Sequence, residues 1–248
     1  MRSQIIPRIK LYPMGLQYVS RRNPWMTVWW SVALPGFGHL LMGQNLRGLI
    51  LMSWEILVNI QSNLNLAIYY SLVGQAEQAK AVVRHEWLIL YPLFYIFSMY
   101  DAYRTCLDLN RLAAMERLQK HRRFELIGSS WLGTTHLSRR NPLMAALWSA
   151  ALPGAGQLYA ARGLKALTLM AWYLAVVLKS GLANATYHTI LGDVAGADVQ
   201  LDYEWLLFWP SVYLFGIADA YNESTEQNRI VDEAFRWRMR KYLRNGLK

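Results

Sequence analysis

The sequence predicts an all-α fold: a polytopic membrane protein of two parallel repeats, each a short hairpin broken at Pro-Gly followed by two transmembrane helices. Three observations predict it. Apolar residues make up 54% of the 248-residue chain and charged residues only 17%, where soluble domains carry about a quarter charged. The apolar residues are gathered into blocks such as Leu46–Ser53 and Trp87–Met99. The chain also repeats itself, and its basic residues cluster between the apolar blocks rather than within them.

The repeat sets the organisation, because self-similarity at a fixed period defines the folding unit. Residues 21–112 align with 139–230 at a constant offset of 118, without a gap, and 36 of the 92 aligned positions are identical. The matches reach beyond Leu and Ala. Arg21-Arg22-Asn23-Pro24 recurs as Arg139-Arg140-Asn141-Pro142, and Ala33-Leu34-Pro35-Gly36-Phe37-Gly38 as Ala151-Leu152-Pro153-Gly154-Ala155-Gly156. Glu86-Trp87-Leu88 recurs as Glu204-Trp205-Leu206, and Asp101-Ala102-Tyr103 as Asp219-Ala220-Tyr221. The expected division is therefore an N-terminal segment 1–20, repeat one at 21–112, a basic linker helix at 113–138, repeat two at 139–230 and a basic tail at 231–248.

Within each repeat the first helix should start at Pro24 or Pro142. Asn is a good N-cap and Pro suits the first helical position. Eleven residues from Pro24 to Leu34 rise about 16 Å, roughly half a hydrocarbon core. The helix then meets Pro35, Gly36 and Gly38, or Pro153, Gly154 and Gly156. Proline disfavours a helical residue before it and glycine permits a sharp turn. Long apolar segments follow at Leu46–Val73 and Leu164–Leu191, then a polar loop, then Trp87–Tyr103 and Trp205–Tyr221. These make four expected membrane helices. The hairpins span the bilayer, enter it and return, or lie along its interface, where Trp25, Trp29 and Trp30 would be at home.

The charges decide the number of crossings. The N-terminal region, the linker and the tail are all rich in Arg and Lys, whereas the loop of repeat one has only Lys80 and Arg84 and that of repeat two has none. Cationic residues remain on the cytoplasmic side. Both termini and the linker are therefore expected in the cytoplasm, with the chain in the plasma membrane, an even number of crossings per repeat and parallel repeats. The net charge of +10 accordingly points to anionic lipid at the linker and the tail, and not to nucleic acid. The tail alternates Ile230, Ala234 and Phe235 with Arg236, Arg238, Arg240 and Lys241.

The string Leu-Pro-Gly-x-Gly, extended by Gln157-Leu158-Tyr159 in repeat two and closed by Asp-Ala-Tyr, resembles an element of small bacterial membrane proteins loosely similar to the TM2-domain type. The resemblance implies two membrane helices flanking a Gly- and Tyr-containing turn, and no activity. Repeat one departs from it, with His39 and Leu41 in the Gln and Tyr positions.

Ionisable residues inside membrane segments are functional-site candidates by default. Asp101 and Asp219 lie toward the cytoplasmic ends of their segments, level with Arg47 and Lys165. Asp101–Arg47 and Asp219–Lys165 pairs are expected, as structural fasteners. Glu55, Asn59 and Asn63 share one face by their spacing of four, and Lys179 is the expected partner of Glu55. The small residues Gly48, Ala166, Ala171 and Ala175 suit close helix packing. Cys106 is the single cysteine, so neither an intrachain disulfide nor a multi-Cys metal site is expected. The five histidines lack metal-ligand spacing, and nucleophile-elbow and phosphate-loop motifs are missing. The reading is a non-enzymatic membrane component, without cofactor or metal, that associates with other membrane proteins or with itself. The alternative is a small transporter or channel.

Overall fold

A computed structural model describes residues 9–12, 15–18, 20–119, 127–130, 133–136 and 138–246. These residues are overwhelmingly helical. In repeat one the elements are β1 (Ile9–Tyr12), β2 (Gly15–Tyr18), α1 (Pro24–Ala33), α2 (Phe37–Leu41), α3 (Asn45–Ser62), α4 (Leu64–Leu72), α5 (Ala76–Val82), α6 (His85–Leu88) and α7 (Tyr91–Leu118). Then follow β3 (Ile127–Ser130), β4 (Gly133–His136), α8 (Pro142–Ala151), α9 (Ala155–Tyr159), α10 (Gly163–Lys179), α11 (Leu182–Ile190), α12 (Val194–Val199), α13 (Tyr203–Leu206) and α14 (Trp209–Gly246). Every element of the first set begins 118 residues before its counterpart in the second.

The strands extend that correspondence beyond residue 21. β1 pairs antiparallel with β2, Ile9 opposite Tyr18, and β3 pairs with β4, Ile127 opposite His136. The segment before residue 20 carries the β1–β2 hairpin. One expectation is corrected: 113–138 is not one helix, since α7 ends at Leu118 and β3 and β4 lie at Ile127–Ser130 and Gly133–His136. Thr134 and Thr135 are β-branched and Gly133 and Gly15 open the returning strands, which favours strand over helix.

The helix starts follow from their caps. The Asn23 side chain accepts from Trp25 N at 2.9 Å and that of Asn141 from Leu143 N at 3.0 Å, with Pro in the first helical position. The breaks follow from the glycines. Gly36 has φ +101° and Gly154 φ +103°, left-handed conformations that cost a side-chain-bearing residue energy. Gly38 serves a different need: a Cβ there would lie 2.2 Å from Thr27 O, and one at Gly156 2.0 Å from Ala145 O. The second glycine therefore lets the two arms of each hairpin touch. Pro35, Gly36, Pro153 and Gly154 are all buried.

The long apolar segments are not continuous helices. Asn63, at φ 53°, separates α3 from α4, and its side chain donates to Val82 O at 3.0 Å instead of sharing a face with Glu55 and Asn59. Gly181 separates α10 from α11. Four unbroken spanning helices were expected. Among the described residues no single helix is long and apolar enough to cross a membrane, and α10 with α11, bent by 61°, passes by length and composition together. Arg47, Glu55 and Asn59 dilute the apolar character of α3. The apolar starts of α7 and α14 run on without interruption into charged sequence.

The chain forms two compact units that do not coincide with the repeats. Unit 1 comprises 1–22, 107–167 and 216–248, and unit 2 comprises 23–106 and 168–215. The expected domains at 21–112 and 139–230 are thus interleaved. Unit 2 is organised about Leu34, Phe37, Leu40, Met52, Ile56, Leu169, Val176, Val212 and Phe215. Phe37 stacks on Phe215 with centroids 4.1 Å apart, and Trp30 meets Phe215 edge-on at 5.1 Å. Gly48 belongs to this packing, its Cβ position 2.9 Å from the Leu40 side chain. In unit 1, Ala166, Ile230 and Ala234 are buried. The tail is the continuation of α14, and two of the apolar residues expected to face lipid face protein instead. Ala171 is exposed.

Candidate functional site

Each repeat assembles the same polar constellation on the helix that follows its Pro-Gly turn. In repeat two, Gln157 of α9 donates to Asp219 Oδ2 at 3.0 Å and to Gly216 O at 2.8 Å, and accepts from Ser149 Oγ at 3.0 Å. Lys165 Nζ lies 3.0 Å from Asp219 Oδ1. In repeat one, His39 takes the place of Gln157 and its Nε2 lies 2.9 Å from Asp101 Oδ2, while Arg47 lies 3.5 Å from the same oxygen. The structure thus brings together Asp101 with Arg47 and Asp219 with Lys165. The hairpin exit, the start of the next helix and the last helix converge on one carboxylate in each copy.

The two copies differ in their surroundings. Lys165 is 1% exposed and Asp219 is fully enclosed, whereas Arg47 is 53% exposed and Asp101 20%. Arg47 also donates to Thr105 Oγ1 at 3.0 Å. In repeat two the residue matching Thr105 is Glu223, one turn beyond Asp219, and the residue matching Gln44 is Arg162. Glu223 accepts from Lys165 at 2.9 Å, from the Tyr18 hydroxyl at 2.6 Å and from Arg162, with Arg22 at 3.9 Å. The Arg162 guanidinium also sits 4.3 Å from the centre of the Tyr18 ring, a cation–π contact. Burial alone would raise the Glu223 carboxyl, but Arg162, Lys165 and Arg22 hold it well below the ordinary carboxylate range. Burial and the neighbouring Glu223 charge push the Tyr18 phenol up. The network therefore keeps Glu223 ionised and Tyr18 neutral, which is the state its hydrogen bonds require.

A second duplicated device holds the strand-to-helix linkers. Asn110 Oδ1 accepts from Arg22 N and its Nδ2 donates to Arg22 O, both at 2.8 Å. Asn228 does the same to Arg140, both at 2.7 Å. Each amide imitates a peptide group and satisfies a linker that has no ladder partner.

The expected Glu55–Lys179 pair does not form. Lys179 is exposed at the end of α10. Glu55 is 2% exposed and accepts from Tyr91 Oη at 2.8 Å and from Asn59 at 3.4 Å. From there a polar string continues. Asn59 Nδ2 donates to Asn65 Oδ1 at 3.3 Å, Asn65 Nδ2 donates to Glu204 O at 2.9 Å, and Glu204 Oε2 accepts from Leu66 N at 2.6 Å. Asn65 N also donates to Asn59 Oδ1 at 3.2 Å, so Asn59 and Glu204 cap the broken start of α4.

Tyr18, Arg162, Glu223, Asn110, Asn228 and Glu204 were not singled out by sequence reasoning. A signal existed for most of them. Asn110 and Asn228 are identical across the repeat, and so are Glu86 and Glu204. Gln44-to-Arg162 and Thr105-to-Glu223 are paired departures from the repeat, adding one cation and one anion together. Among the described residues no group of His, Cys, Asp and Glu is placed to hold a metal ion. No protein family model, curated protein or solved structure matches this chain.

Proposed function

We infer that this chain is an integral membrane protein of two tandem repeats, acting as a non-enzymatic structural or accessory component that associates with other membrane proteins or with itself. One observation carries the membrane assignment: a cluster of charged side chains is buried while many large apolar side chains are exposed. Lys165, Asp219, Glu223, Arg162 and Glu55 are buried, while Trp25, Trp29, Leu72, Leu93, Ile96 and Leu178 are exposed, Trp25 by 71%. Contiguous apolar surface beyond a few hundred Å² marks a membrane or partner site. Exposed Trp25 and Trp29 on the short helix α1 suit a bilayer interface. The Pro-Gly turns are buried, as non-helical backbone must be at membrane depth. The basic linker and tail, with the loops poor in basic residues, support cytoplasmic termini and contact with anionic lipid.

The accessory role is supported by the way the charged groups are spent. Lys165, Arg162, Asp219 and Glu223 engage one another and fasten α9, α10, α14 and β2 into one unit. Alkaline carbonate extraction of membranes containing the full chain tests the assignment. The protein is expected to stay in the pellet, and a reporter fused after residue 130 is expected to be cytoplasmic. Release into the supernatant, or an external reporter, overturns it.

A small transporter or channel is the second reading, favoured by the buried string from Glu55 to Glu204. Flux into vesicles reconstituted with wild type, Glu55→Gln and Asp101→Asn separates the two readings.

A further inference from the structure

Two buried carboxyls in unit 2 have no counter-charge among the described residues. Glu55 is 2% exposed and Glu204 7%. Each uses one oxygen in the string described above, while the other, Glu55 Oε2 and Glu204 Oε1, is buried without a partner. The cationic and titratable groups on the surrounding elements are otherwise engaged or turned outward. His39 of α2 is bonded to Asp101, as is Arg47 of α3. Lys80 of α5 pairs with Glu77 at 3.0 Å. Arg84, His85, Glu86 and Lys179 are exposed. Tyr91 and Tyr95 of α7 face Glu55, Asp202 lies beside Glu204, and the neighbouring Tyr203 stacks on Tyr69. Neither carboxyl forms an ion pair among the described residues.

An isolated carboxylate in a low-dielectric interior is expensive, and the group takes up a proton instead. An orphaned oxygen costs less as the O–H of a neutral acid than as half of a negative charge. We propose that Glu204 is a proton-binding site that fills as the pH falls through the neutral range and joins the broken start of α4 to α13. This goes beyond the accessory role and does not depend on it, because proton binding follows from burial and not from transport. Burial pushes Glu204 up to about 7, so this site is half filled at neutrality and empties above it. Its free-chain value is about 4.3. The folded state then holds the proton more tightly than the unfolded chain, so stability falls between roughly pH 4.3 and 7 and is level above that window.

Infrared spectroscopy of the purified full chain in detergent tests this directly. At mildly acidic pH the wild type is expected to show a carboxylic acid carbonyl band that moves in D₂O and moves again when glutamate is carboxyl-labelled with ¹³C. Glu204→Gln should diminish it, and Glu86→Gln, at the exposed position matching Glu204, should leave it whole. The Glu204 part should titrate away near pH 7. Absence of a ¹³C-glutamate-sensitive acid band in the wild type overturns the proposal whether or not the variants fold. So does a band that survives intact in the folded Glu204→Gln variant. Thermal stability that rises with added sodium or potassium, without an acid band, would assign a metal cation in place of the protons.

Discussion

Lys165→Met and Arg47→Met remove the same member of the same constellation from the two repeats, yet the structure demands very different costs. Lys165 is 1% exposed and stands between Asp219 at 3.0 Å and Glu223 at 2.9 Å. Methionine roughly fills the volume but leaves two buried carboxylates short of a cation. Breaking a buried pair from one side costs about 3–5 kcal/mol. Arg47 is 53% exposed and lies 3.5 Å from an Asp101 that is itself partly open. An exposed pair contributes about 0–1 kcal/mol. For a chain of this size each kcal/mol shifts the midpoint by about 2–4 °C. Lys165→Met is therefore expected to lower the unfolding temperature by about 6–20 °C, and Arg47→Met by no more than about 4 °C. Unfolding followed by tryptophan fluorescence and by loss of the monodisperse peak in detergent reads both. A companion pair sharpens the test: Arg162→Gln with Glu223→Thr installs the residues that repeat one carries at Gln44 and Thr105. The double variant should be more stable than the sum of its single losses implies, by about 1–3 kcal/mol of coupling. Equal losses for Lys165→Met and Arg47→Met, or additive losses at Arg162 and Glu223, would refute the contrast between a sealed and an open copy.

Two further outcomes follow from the same geometry. Gly38→Ala and Gly156→Ala each drive a methyl group to within 2.2 Å and 2.0 Å of a backbone carbonyl oxygen in the facing hairpin arm, so each should cost about 1–3 kcal/mol or more, whereas Gly43→Ala meets no neighbouring atom within 4 Å and bears only the strain of its φ of +79°; thermal unfolding ranks the three. Glu223 has a folded-state value below its free-chain value, so its contribution is complete above about pH 4.3 and drains away as the pH falls below that. Glu223→Gln should accordingly be less stable than wild type at neutral pH and lose less on acidification, measured as unfolding midpoints from pH 7 down to the onset of acid unfolding. This slope is opposite in sign to that of Glu204, whose proton is lost from the folded state above neutrality.

Much of the local architecture was legible in the sequence, because it depends on residues close together in the chain. Asn-Pro starts each first helix through an Asn cap and a preset proline angle, and Pro-Gly ends it through the left-handed glycine. The period of 118 predicted that whatever repeat one does, repeat two would do again, and the element starts follow that period from β1 onward. Even the Asp101–Arg47 and Asp219–Lys165 pairs could be anticipated, since a charge in an apolar segment needs a partner at its own depth. The breaks at Asn63 and Gly181 were not legible, because an apolar run of the right length does not reveal where a side chain from a distant segment, such as Glu204, will cap a new helix start. Nor were the strands, whose four-residue lengths give almost no periodicity.

The sequence by itself determined the helical class, the two-fold repetition, the Pro-Gly turns and the segregation of positive charge, all of which act over a few residues or through composition. Only the tertiary structure decided which copy of the constellation is sealed and how the repeats are divided between the two compact units. It also decided that Glu55 and Glu204 end in the interior without a cation among the described residues. Those outcomes turn on burial and on contacts between residues far apart in the chain, such as Tyr18 with Glu223 and Leu66 with Glu204. Desolvation, which sets what a charge is worth, exists only once the chain has closed around it.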